Sequence, residues 1–315
     1  MKIWSLLPSA TEILFALGLA DDVTGVTHEC DYPPTAASKP RVTVSYIDSS
    51  LSSREIDEQV ASRLKEGHQL YGIDRERLLA DPPDVIVTQD LCPVCAVSPS
   101  DFAGYLKEAG CKTRLVTLNP NTLNDVIESV GVVGEALGRR TEAAVVMSSL
   151  RSRLDAVREA VEGAPPKPVL TLEWLDPLMP GGHWIPEMIR IAGGESGVIA
   201  AGEPSRKVPW EELRHEEPDV IILMPCGFSP ERADREASVL WQLDGWSELA
   251  AVRAAAVYCV DGNQRYSRPG PRLVDGAEEL ARILHPELRT EPAADGAVRK
   301  LTSAQNGVPS FAAYR

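Results

Sequence analysis

The sequence predicts an α/β protein of two Rossmann-like lobes joined by one long backbone helix, with a ligand cleft between the lobes. Three observations carry that prediction. The chain has 315 residues, enough for about two domains of ~150 residues each. Its first part alternates short apolar runs with helical segments, the rhythm of a parallel sheet covered on both faces. The same rhythm returns after a helical stretch in the middle of the chain.

Lys2–Leu7 reads as a short apolar strand. Ser9 and Glu12 have the spacing of a capping box, and the helix they open stops at Gly18. Val23–Thr27 is the next strand, and Pro33-Pro34 force the segment after His28-Glu29-Cys30 into a loop. Residues 54–66 are helical, Glu76–Ala80 form a helical turn, and Asp84–Thr88 is a buried strand. A loop over Gln89–Pro99 holds Cys92-Pro93-Val94-Cys95. Phe102–Ala109 is a helix and Thr113–Leu118 a strand. Apolar positions 143, 146, 147, 150, 154, 157 and 161 form one stripe of a long amphipathic helix, ended by Gly163-Ala164-Pro165-Pro166.

The second lobe carries strands at Val169–Trp174, Asp219–Met224 and Val257–Val260, with helices at Pro186–Ala192 and Arg272–Leu284. The expected domains are therefore an N-terminal lobe over 1–138, a connecting helix over 139–163 that starts there or nearer 122, and a C-terminal lobe over 164–287. Residues 288–315 lack clear periodicity and read as a tail or extension.

Composition narrows the function. Apolar residues make up 43% and charged residues 25%, the balance of a folded globular protein. The net charge of −14 repels phosphates, so nucleic acid and anionic membrane surfaces are not expected partners. No apolar run approaches the ~20 residues of a membrane helix, so the protein is not expected to be membrane-embedded. The first residues carry no export signal, which taken literally leaves the chain in the cytoplasm; a leader trimmed beforehand would place it outside. In a cytoplasm its six cysteines are thiols. The expected oligomeric state is a monomer.

Ligands of parallel α/β sheets sit at the carboxyl ends of the strands. Four groups of residues fall there: Pro8–Thr11, His28–Tyr32, Gln89–Cys95, and Trp174–Trp184 with Cys226-Gly227. Cys92 and Cys95 can hold half a metal site, act in redox chemistry or pack a loop. His28 and Cys30 offer soft metal ligands, although adjacent residues of an extended chain point in opposite directions. Trp174, Trp184 and Trp210 lie beside strand ends or Gly/Pro loops, where flat apolar side chains suit a planar or macrocyclic ligand. No nucleophile elbow, zinc-protease, Walker or dinucleotide motif is present, so no enzyme activity is expected.

Leu7–Ile13, Ala16-Leu17-Gly18, Gly25-Val26-Thr27 and Asp31–Pro34 resemble the periplasmic cobalamin-binding proteins of ABC importers. So do Glu76-Arg77 ahead of Pro83–Ile86, Gly193-Gly194-Glu195 leading to Val208-Pro209-Trp210, and Ser267–Arg272. The resemblance runs in order over about residues 1–285. It implies the helical-backbone substrate-binding fold and a cobalamin or related corrinoid as the small-molecule ligand. It implies aromatic contacts at Tyr32 and Trp210, joined by the Ser9 loop and Trp174. It also implies a permease partner docked on two surface glutamates, Glu76 and Glu211 or Glu212. Two alternatives stand beside it. One is a metal- or redox-active protein using Cys92, Cys95 and His28. The other is a receptor for haem or an iron chelate, in which Arg268 and neighbouring arginines meet an anionic ligand.

Overall fold

The computed structural model describes residues 1–89, 104, 110, 112–288, 297–305 and 307–314. It divides into two units, the first built on a parallel sheet and the second on a mixed one. Unit 1 holds Met1–Leu51, Glu55–Pro120 and Asn124–Leu150; unit 2 holds Ser52–Arg54, Asn121–Leu123 and Arg151–Arg315.

Unit 1 is built on four parallel strands in the order β2 (Val23–Val26), β1 (Ile3–Ser5), β5 (Val85–Gln89) and β6 (Arg114–Leu118). β1 and β5 are buried along their whole length, which is why they read as unbroken apolar runs rather than alternating ones. Gly25 lies against Trp4: a Cβ there would stand 2.8 Å from the indole ring, so only glycine lets the ring lie on β2. Helix α1 (Pro8–Ala16) covers the sheet with Ile13 and Leu14. A two-stranded antiparallel ribbon, β3 (Thr43–Ser45) with β4 (Tyr71–Ile73), flanks α2 (Ser53–Lys65), and α3 (Arg75–Ala80) is capped by Asp74.

Two sequence expectations change in this unit. The capping box at Ser9 is not formed: Leu7 is the N-cap, Pro8 opens the helix, and Ser9 lies inside its first turn. Proline at the first helical position does the work expected of Ser9, because its missing N–H is one the helix could not satisfy. The alternative start nearer 122 for the connecting helix does not hold, because the residues there form a separate helix, α4 (Leu123–Ala136); the connecting helix itself stands where it was expected, as α5 (Arg140–Ala160). Gly138, at φ +70°, ends the first in the left-handed conformation that glycine adopts freely. Gly134 allows the pair to close up, since a Cβ there would meet that of Ala143 at 2.4 Å.

Unit 2 carries a mixed sheet in the order β13 (Val308–Ala313), β12 (Val298–Gln305), β11 (Val257–Val260), β10 (Val220–Leu223), β7 (Lys167–Leu175) and β8 (Leu178–Pro180), with β9 (Gly194–Glu195) pairing β7. β7, β10 and β11 are parallel, and β12 and β13 antiparallel. Its helices are α6 (Ile185–Ile191), α7 (Trp210–Leu213), α8 (Pro230–Glu236), α9 (Ala250–Arg253), α10 (Gly262–Arg265) and α11 (Leu273–Leu284).

The expected tail is here an integral hairpin. Val298, Leu301 and Phe311 enter the core of unit 2, and Arg299 pairs with Asp234 of α8 at 2.8 Å. Gly307 stands between its strands at φ +78°. In the sequence it is preceded by Asn306, and Asn-Gly is the dipeptide that favours tight hairpins. That dipeptide is the signal that would have found the hairpin.

Candidate functional site

In unit 1 the carboxyl ends of β1 and β2 lead to the first turn of α1, with Ser9, and to the His28–Tyr32 loop. Behind them lies a network of hydroxyls around one thiol. Thr11 Oγ1 donates to Ser5 Oγ at 2.8 Å, and Cys30 Sγ sits 3.0 Å from Thr11 Oγ1 and 3.2 Å from Thr27 Oγ1. Arg41 donates to the carbonyls of both Thr27 and Cys30 at 2.6 Å, tying the two ends of this loop together. The fastened loop presents Tyr32, which is 43% exposed.

This arrangement corrects the metal reading of His28 and Cys30. Cys30 is fully buried between two threonines, so its thiol packs the loop instead of facing a ligand. His28 Nδ1 is 2.8 Å from Thr43 Oγ1 and its ring tilts against Tyr71. Burial pushes its pKa down, which favours the neutral imidazole. Among the described residues no group of three or more His, Cys, Asp or Glu side chains could hold a metal ion. Cys92 and Cys95 lie outside the described residues. β2 and β5 are also separated by β1, so the residues that follow them do not leave neighbouring strands.

In unit 2 the carboxyl end of β7 carries Trp174, half-buried, its indole edge-on to Phe228 at 5.5 Å and its N–H donated to the Ser53 carbonyl at 3.1 Å. Arg232 lies 3.6 Å above the Phe228 ring, a cation–π contact. Beside it Glu173 accepts from the Gly182 N–H and the Ser205 hydroxyl, fastening the Gly181-Gly182 turn. At the end of β11, Asp261 caps α10, Arg268 donates to Asn263 Oδ1 at 3.0 Å and Arg272 to Gln264 Oε1 at 2.6 Å.

Trp184 and Trp210 do not join this surface. Trp184 is buried and donates to the Tyr266 carbonyl at 2.7 Å. Trp210 is 8% exposed, packs 5.5 Å from Trp246 inside the hydrophobic core, and donates to the Asp244 carbonyl at 2.7 Å. Both indoles thus serve the interior of unit 2. The sequence placed them next to Gly/Pro loops correctly, but proximity in sequence does not say which face a ring turns.

Glu76 and Glu212 are both exposed. Glu76 lines a cavity of about 720 Å³ with Trp4, Lys39, Asp74, Arg77 and Asp81. Val23, the first residue of β2, is also on its wall, so this cavity lies beside the amino end of β2, not among the carboxyl-end loops. Glu212 stands in α7, 3.9 Å from Arg206. Among the described residues no helix is long and apolar enough to cross a membrane.

A two-unit α/β chain with parallel strands at the centre of each sheet is the architecture of a substrate-binding protein. The chain matches the Periplasmic binding protein family over residues 3–263, and it belongs to that family. An uncharacterized ABC transporter substrate-binding lipoprotein of Bacillus subtilis, YvrC, is 28% identical over 91% of this chain and 80% of its own. A vitamin B12-binding protein of Vibrio cholerae is 24% identical over 90% of this chain and 88% of its own. Among solved structures, the vitamin B12-binding protein BtuF of Vibrio cholerae superposes with TM-score 0.66 at 23% identity, covering 90% of this chain and 96% of that one. A periplasmic heme-binding protein of Pseudomonas aeruginosa gives 0.70 at 20% identity over 97% and 99%.

These findings bear out the family resemblance and the two-lobed α/β fold. They overturn the cytoplasmic placement: the relatives are periplasmic or lipoprotein binding proteins, which act outside the cytoplasm.

Proposed function

We propose that the protein is an extracytoplasmic, non-catalytic receptor that binds cobalamin or a related corrinoid and hands it to an ABC permease. The observation that carries this reading is the continuous match to vitamin B12-binding relatives along nine-tenths of the chain. Two aromatic side chains support it: Tyr32 on the loop after β2, which Arg41 fastens through the Thr27 and Cys30 carbonyls, and Trp174 near the carboxyl end of β7, whose indole N–H donates to the Ser53 carbonyl. Aromatic faces suit the apolar rim of a corrin ring and need no metal ligand from the protein. Ser9 belongs to the same set. Glu76 and Glu212, exposed on units 1 and 2, are the docking points offered to a permease.

A second reading, haem or an iron chelate, is favoured by the half-buried Arg232 guanidinium over Phe228, with Arg268 and Arg272 buried nearby against Asn263 and Gln264. Such groups match the carboxylates of an anionic ligand. Titration calorimetry with cyanocobalamin, haemin and a ferric hydroxamate separates the two. Saturable binding of cyanocobalamin alone supports the corrinoid receptor. Binding of haemin or the hydroxamate without cyanocobalamin replaces it with the second reading.

A further inference from the structure

Helix α8 touches two parts of unit 2 at once. It packs against β11 and β12, and Arg232 and Asp234 stand two positions apart on it. At 3.6 residues per turn that sets them about 200° apart, on nearly opposite sides of the helix. On one side the Arg232 guanidinium lies 3.6 Å from the centre of the Phe228 ring, which meets Trp174 edge-on at 5.5 Å. On the other side Arg299 Nε donates to Asp234 Oδ2 at 2.8 Å, and Arg299 Nη2 donates to the Phe311 carbonyl at 3.1 Å. One guanidinium thus holds both strands of the C-terminal hairpin and the back of α8.

The pair is placed to fix position. Its side chains are only 25% and 21% exposed, so water screens it less than a surface pair, and removing one partner strands a half-buried charge. α8 has seven residues, too few to hold a helix by itself, so its seat is set by what it packs against. Phe228 is fixed separately: it is buried, and its carbonyl accepts from the Asn263 N–H at 3.2 Å. The place of the Arg232 guanidinium over that ring therefore depends on where α8 sits, and a cation–π contact weakens as the cation leaves the ring face. Arg299 lies beyond residue 263, where the family match ends.

We propose that the C-terminal hairpin is part of the ligand-recognition apparatus: through the Arg299–Asp234 pair it positions α8, and so sets the Arg232–Phe228 stack beside Trp174 that selects the ligand. Arg299 and Asp234 are positioning residues and touch no ligand themselves. The proposal deepens the receptor reading and rests on it for the surface at which ligands arrive. A guanidinium held by its face on a ring keeps its N–H edge for a carboxylate or phosphate oxygen, so the stack favours a ligand that carries such a group.

The positioning is read first without ligand. In the deuterated full chain labelled with ¹⁵N-arginine, the Arg232 Nε–Hε signal is assigned by its loss in Arg232→Gln. It should stand upfield, because a proton over an aromatic face is shielded. Asp234→Asn and Arg299→Met should move it toward the unstacked arginines, and Arg299→Lys, which keeps the ion pair, should return it most of the way. Leu301→Ala, which thins the hairpin's core contact and leaves the pair in place, should lower the melting temperature without moving the signal. A wild-type signal among the unstacked arginines overturns the proposal. So does a signal that is unmoved in Asp234→Asn and Arg299→Met, is not restored by Arg299→Lys, or moves as far in Leu301→Ala. Calorimetry with cyanocobalamin and haemin follows. The probe that wild type binds should lose about fivefold in affinity in Asp234→Asn and Arg299→Met and regain most of it in Arg299→Lys. Wild-type affinity in the two variants, despite a moved signal, overturns the role in recognition. Wild type that binds neither probe removes the receptor reading for these ligands and the selection with it, while the Arg232 signal still decides whether the pair positions α8.

Discussion

Replacing Trp210 by alanine separates a ligand contact from a core residue. A tryptophan of this burial takes ~150–250 Å² out of water, worth ~4–6 kcal/mol at ~25 cal/mol per Å². Residual compactness of the unfolded chain trims that figure to ~3–5 kcal/mol, the range found when large aromatic side chains are cut to alanine. The indole also loses its partner Trp246 at 5.5 Å and its hydrogen bond to the Asp244 carbonyl. A typical intramolecular hydrogen bond adds about 1 kcal/mol to that. Urea unfolding followed by far-ultraviolet circular dichroism should therefore show Trp210→Ala destabilised by ~3–5 kcal/mol. Trp210→Phe, which keeps an aromatic ring in place, should lose only ~1–2 kcal/mol. A Trp210→Ala variant within ~1 kcal/mol of wild type, yet weakened in corrinoid binding, would refute the core assignment and return Trp210 to the ligand surface.

Tyr32→Ala should leave stability within ~0.5 kcal/mol, because the side chain is 43% exposed, while weakening cyanocobalamin by about tenfold in calorimetry. Unchanged affinity in that variant would take Tyr32 out of the site. Glu279 is fully buried between Arg265 and Tyr266, and burial pushes its pKa from 4.5 up to about 7. The folded state then binds more protons than the unfolded state between those values, so this group's contribution to stability falls as pH rises from 4.5 to 7. Melting temperatures of Glu279→Gln across that window should show a flatter decline than wild type, and identical slopes would contradict the assignment. Truncation after Leu288 removes Val298, Leu301 and Phe311 from the core and uncovers the edge of β11. The shortened chain should melt lower and aggregate in size-exclusion chromatography, and an unchanged melting temperature would show the hairpin to be dispensable.

Much of the candidate site was legible because strand ends can be read from the chain. DVIVT and VYCV are apolar runs bounded by polar or loop residues, and the structure places strands at Val85–Gln89 and Val257–Val260. The carboxyl ends of such strands are where parallel sheets meet ligands, so the sequence alone marks Ser9, His28, Tyr32 and Trp174. The direction of each side chain was not legible in the same way. Cys30 and Tyr32 are two residues apart on one loop, yet one is wholly buried and the other half in water. Arg41 makes that difference by holding the carbonyls of Thr27 and Cys30, and nothing in the local sequence links Arg41 to them.

The sequence by itself determined the alternation of strand and helix, the family, and the aromatic and cysteine residues that fall on strand-end loops. Those features are local: periodicity, proline and glycine positions, and apolar runs act over a few residues. The tertiary structure alone decided that Trp184 and Trp210 belong to the core of unit 2, that Leu7 and not Ser9 caps α1, and that the last residues complete a sheet. Each of these depends on partners distant in the chain. Tyr266 accepts from Trp184 across 82 positions, and Arg299 finds Asp234 across 65. A side chain's burial is settled by what packs against it, and that neighbour is chosen only when the chain closes on itself.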